Sequence, residues 1–135
     1  MRTRKFEKKN YVNEILEIIK HGHLESEFKV KILNYHENDI AEALTYLTED
    51  ERKKVYKALG AKNVAEIFTY VDDIEKYFGE LSLDKAVKVL SLMDSDEAVD
   101  LLEKLDDEKK NQLVSRLEGS LKKDVKKILS YDEEE

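Results

Sequence analysis

The chain has 135 residues, enough for one domain with a real core and too few for two comfortable ones. Charged residues make up 41% and the net charge is −7, which disfavours nonspecific nucleic-acid binding because phosphate contact needs a basic face. Cysteine is absent, which excludes disulfides and thiolate metal sites, and no apolar run is long enough to cross a bilayer.

The opening MRTRKFEKKN is basic, but no apolar stretch follows, so it is not a secretory signal. It reads as a solvated lead-in, with weak attraction to anionic lipid as the alternative. There is no proline and there are four glycines, and Val, Ile and Leu recur at three- and four-residue spacing. That pattern predicts helix throughout and no strand. The predicted helices are Phe6–Lys20, Leu24–Asn34, Asp39–Leu47, Glu49–Leu59, Asn63–Val71, Asp73–Leu81, Leu83–Leu92, Ser95–Lys104, Asp107–Leu117 and Leu121–Ser130. Residues 1–31 form a helical lead-in, 32–130 the main helical domain, and the acidic 131–135 the start of a linker.

Capping residues mark the breaks. Thr48 and Glu51 form a capping box, and Asn63 with Glu66, Asp72 with Glu75, and Asp94 with Glu97 follow the same spacing. Ser82, Asp106 and Ser120 are further N-cap candidates, and Gly22, Gly60, Gly79 and Gly119 lie near expected helix ends.

Repetition decides the architecture. Ala86-Val87, Val89-Leu90, Met93 and Asp94 recur twelve positions later as Ala98-Val99, Leu101-Leu102, Leu105 and Asp106. A weaker echo at fifty-eight turns Leu44, Leu47, Val55 and Leu59 into Leu102, Leu105, Leu113 and Leu117. Helices this short are marginal alone, so neighbours must stack. The expected fold is all-α, a solenoid of about ten short helices. Its inward stripe is Ile40, Leu44, Leu47, Val55, Leu59, Ile67, Phe68, Val71, Phe78, Leu81, Leu90, Met93, Leu102, Leu105, Leu113, Leu117, Val125 and Leu129.

Nothing points to catalysis. The phosphate-cradling patterns GxGxxG and GxxxxGK[ST], the zinc motif HExxH and the nucleophile elbow GxSxG are missing. His21 and His23 would need a turn to share a zinc ion and have no evident further ligands. His36 is expected to cap or to pack beside Tyr35. One distribution stands out: from Asp72 to Glu108 there are thirteen acids against four lysines. Asp96 and Asp100 share a helix face. Acids at helix starts suit the macrodipole, and the remainder can be a solvated face. The functional alternative is a hard divalent cation such as Mg²⁺, held by one or two carboxylates and several waters.

His36-Glu-Asn-Asp39-Ile-Ala41 resembles the HPxDIA opening of the cytosolic N-terminal domain of MgtE-type magnesium transporters. Ala65-Glu66-Ile67, Leu81-Ser82-Leu83-Asp84, the run DEAVDLLEKLDDE from Asp96 to Glu108, and Tyr131-Asp-Glu-Glu extend the likeness over Ile32 to Glu135. The chain departs where the family has prolines, with Glu37 following the histidine. The resemblance implies a right-handed superhelix on the cytoplasmic side of the membrane. It further implies a non-enzymatic regulatory role, in which Mg²⁺ bridges acidic residues to CBS domains of the same chain and favours pore closure. Matched by motif, Asp84 and Glu66 are the implied metal residues, while Asp94, Asp96 and Asp100 belong to the acidic field without a motif assignment. Each has a plain rival: Glu66 as the third residue of an Asn63 capping box, Asp84 as a first-turn acid after Ser82. A lone monomeric domain would offer half a site, with millimolar affinity for Mg²⁺. The middle domain of flagellar motor-switch FliG proteins is similar in architecture, so an interaction module without a metal role is the alternative.

Overall fold

A computed structural model describes residues 4–21 and 25–134. Among these the chain is all-α, with no strand. The helices are α1 (Arg4–His21), α2 (Glu25–Ile32), α3 (Glu37–Leu44), α4 (Glu49–Phe68), α5 (Ile74–Phe78), α6 (Leu83–Ser91), α7 (Ser95–Glu103), α8 (Asp107–Arg116) and α9 (Gly119–Glu134). Gly22, His23 and the predicted helix start at Leu24 lie outside the described residues.

The predicted helices Glu49–Leu59 and Asn63–Val71 run together as α4, two helical segments that meet at a kink. Gly60 breaks the helical path with φ 84° and ψ 166°. Asn63 is therefore not an N-cap. It lies inside α4, where its Nδ2 donates 2.8 Å to the Leu59 carbonyl, the kind of acceptor a helix break leaves open. Three other expected caps fail, one of them Asp94, which precedes α7 without a side-chain cap bond. Asp73, not Asp72, precedes α5 and makes no side-chain cap bond. Ser120 lies within α9, which starts at Gly119 (φ 65°) and meets no glycine or proline before Glu134.

The chain divides into two compact units between Asp72 and Asp73. In the first, α1 packs on α3, and α2 and α4 complete the cluster. Val12, Ile15 and Ile19, spaced three and four apart on α1, are buried with Phe28 and Ile32 of α2. They accompany Ile40 and Leu44 of α3 and Val55, Leu59, Val64, Ile67 and Phe68 of α4. Tyr56 meets Phe68 edge-on at 5.7 Å.

Arg52 is buried in this unit, and its Nη1 donates to the carbonyls of Leu44 and Leu47. A buried cation is tolerable only when so bonded, and the end of α3 is where the helix dipole favours it. The Thr48 capping box forms as predicted: Glu51 N donates 3.2 Å to Thr48 Oγ1, and Thr48 N donates 2.9 Å to Glu51 Oε1. His36 caps α3, its Nδ1 accepting from Asn38 N at 3.0 Å, and its ring packs against Tyr70 rather than Tyr35.

In the second unit α6 packs on α8, α7 on α9, and α8 on α9. The twelve-residue repeat is the α6–α7 pair. Ala86, Val89 and Leu90 are buried, as are Ala98, Leu101 and Leu102, their counterparts. The fifty-eight-residue echo extends to the caps: Thr48 opens α4 and Asp106 opens α8, with Lys109 N donating 2.8 Å to Asp106 Oδ1. Of the predicted inward stripe, Val71, Met93, Leu105 and Leu129 are half-buried and the rest are buried. Met93 and Leu105 lie just past the ends of α6 and α7.

Candidate divalent-cation surface

Asp84 enters through the local grammar of α6. Ser82 caps the helix, its Oγ accepting from Lys85 N at 3.3 Å. That places Asp84 in the first turn, where an acid suits the dipole. Its side chain is 86% exposed and therefore open to a hydrated ion. It already has one cationic neighbour: Arg116 Nη1, at the end of α8, lies 3.3 Å from Asp84 Oδ1.

Glu66 is exposed in the last turn of α4, in the first unit. Its capping-box rival fails, because Asn63 is not a cap. An acid at a helix C-terminus opposes the macrodipole, and no basic residue accompanies it in that turn. Helix energetics therefore give no reason for Glu66, unlike Asp84.

Asp94 precedes α7 with extended backbone and makes no side-chain cap bond. Asp96 and Asp100 are exposed one turn apart on α7. Among the described residues no three His, Asp or Glu side chains converge into a metal cage. The donors are hard oxygens, which fit Mg²⁺ in kind, and one or two carboxylates with water satisfy its usual demand. They fit as part of a shell and not as a closed site.

His21 faces Glu17 at 3.4 Å with both side chains exposed, while His23 lies outside the described residues. A surface depression lined by Asp106, Glu108, Lys109 and Gln112 sits at the start of α8, where Asp106 is engaged in its cap. Arg116 is the participant that sequence reasoning missed. Helical spacing signals only neighbours three or four residues apart, and Arg116 is thirty-two residues from Asp84.

Two comparisons with known proteins define what the fold belongs to. The chain is similar to a solved structure described as the soluble part of a magnesium transporter, with a TM-score of 0.79 and 26% sequence identity. The match covers 92% of this chain and 50% of that one, so the chain spans half the length of its solved relative. Residues 35–134 match the family model of the MgtE intracellular N domain, and the chain belongs to that family. Among curated protein sequences, none matches. The resemblance drawn from the His36–Ala41 and Leu81–Asp84 motifs is borne out. No described helix is long and apolar enough to cross a membrane.

Proposed function

We propose that this domain is the regulatory, cytoplasmic-side part of a magnesium transporter, and that it senses Mg²⁺ through Asp84 and Glu66. The observation that carries this reading is the match of residues 35–134 to the MgtE intracellular N domain. The partner is a CBS domain of the same full-length chain, which offers a second acidic surface. Asp94, Asp96 and Asp100 add to the local field and are the weaker candidates for the same role.

The physics is a population shift. Two acidic surfaces repel each other across a range set by salt. An ion bridging them binds the closed arrangement better than the open one, and only that difference in affinity moves the equilibrium. Scarce magnesium leaves the surfaces repelling and the pore free to open. Plentiful magnesium joins them and favours closure. Alone, this domain supplies one side of the bridge and binds Mg²⁺ weakly. Replacing Asp84 by asparagine in the full-length transporter tests the assignment. The expected result is that closure requires more magnesium; an unchanged magnesium dependence would show that Asp84 is not a bridging ligand.

A further inference from the structure

We infer that Arg116 is a built-in competitor for Asp84 and sets the magnesium concentration at which that carboxylate fills. This rests on the reading of Asp84 as a magnesium-bridging residue.

The geometry supports competition. Arg116 Nη1 stands 3.3 Å from Asp84 Oδ1, reaching from the end of α8 to the start of α6, two helices that pack together. The contact is longer than a tight charge-assisted hydrogen bond, which runs about 2.7–2.9 Å. The side chains are 52% and 86% exposed, so the pair opens readily into solvent. Magnesium needs oxygen ligands at about 2.0–2.1 Å in a near-octahedral shell. A guanidinium held against the same oxygen takes up that space and opposes the incoming charge. Magnesium arriving at either Asp84 oxygen meets the guanidinium charge beside it, so the two cations compete for the carboxylate.

The consequence is a tax on affinity. The apparent dissociation constant is the intrinsic one divided by the fraction of Asp84 free of Arg116. For an exposed pair of ordinary strength, removing the arginine tightens magnesium binding about two- to sixfold. By reciprocity, filling Asp84 with metal releases Arg116 at the end of α8.

Magnesium titration of the 135-residue protein by two-dimensional amide NMR at constant ionic strength tests this, following the Leu83–Lys85 amides. Asp84→Asn should abolish the magnesium-dependent shifts there. Arg116→Gln should lower the dissociation constant about two- to sixfold. Arg116→Lys, which keeps a cation in place, should stay near wild type. Lys123→Gln removes an exposed charge from α9 and should also leave binding near wild type. Dispersed spectra of each variant establish that it is folded. If Asp84→Asn leaves the shifts intact, or wild type shows none at tens of millimolar magnesium, the Asp84 reading falls and this inference with it. If Asp84→Asn abolishes the shifts but Arg116→Gln binds like wild type, the role of Arg116 falls while Asp84 stands. Equal tightening by Lys123→Gln would mean that general charge, not this contact, sets the affinity.

Discussion

Replacing Gly60 by alanine probes the kink that divides α4. Gly60 has φ 84° and ψ 166°, a region essentially restricted to glycine. A Cβ added there meets nothing within 4 Å, so the cost is all backbone and no collision. Holding alanine in such a conformation costs on the order of 1–3 kcal/mol. The stiffer unfolded chain offsets about 0.4–1 kcal/mol of this. Taken near the middle of both ranges, the net loss is about 1–2 kcal/mol. With an m-value of about 2 kcal/mol/M, the urea midpoint should fall by roughly 0.5–1 M, read by far-ultraviolet circular dichroism. If the two units unfold separately, the shift belongs to the transition of residues 1–72, which contain Gly60. A midpoint within about 0.2 M of wild type, a shift of only about 0.4 kcal/mol at that m-value, would refute the argument.

Three further outcomes concern two titratable contacts. Thr48→Ala should cost about 1 kcal/mol in the same assay, since it removes the acceptor for Glu51 N. The hydrogen bond from Thr48 N holds the Glu51 carboxyl below its ordinary value of 4.5. The cap therefore stabilises fully above that value and its contribution disappears as pH falls through the lowered one. Glu51→Gln should flatten stability against pH in this acid window; an unchanged slope would show the carboxylate is not engaged. At the other extreme, Tyr35 donates to Glu14 Oε1 at 2.6 Å, and this bond, with burial and the Glu14 charge, pushes the phenol up to about 12. Its contribution is whole below the ordinary value of 10 and is lost as pH rises through about 12. A residue-resolved NMR titration should show the Tyr35 phenol titrating late, and Glu14→Gln should bring it down toward the ordinary range. A Tyr35 phenol that titrates near its ordinary value of 10 in the wild type would contradict the contact.

What could be read without coordinates is what short-range physics controls. Ser82, Thr48 and Asp106 announce helix starts because a cap joins residues three positions apart. The twelve-residue echo locates α6 and α7 because the same apolar faces bury Ala86 with Leu90 and Ala98 with Leu102. Motif order likewise led to the family and marked Asp84 and Glu66.

Tertiary structure decided matters that depend on distant parts of the chain. Asn63 has the spacing of a cap, yet it serves the Leu59 carbonyl, because the second segment of α4 begins just beyond Gly60 and already contains it. Arg52 looks like one more surface charge until the ends of α3 supply its acceptors. Asp84 reads as a free first-turn acid until the packing of α6 on α8 brings Arg116 beside it. Capping and amphipathic periodicity act within one or two turns and leave a trace in residue spacing. Which cation reaches a carboxylate thirty-two positions away is set by how helices pack, and local spacing holds no record of that.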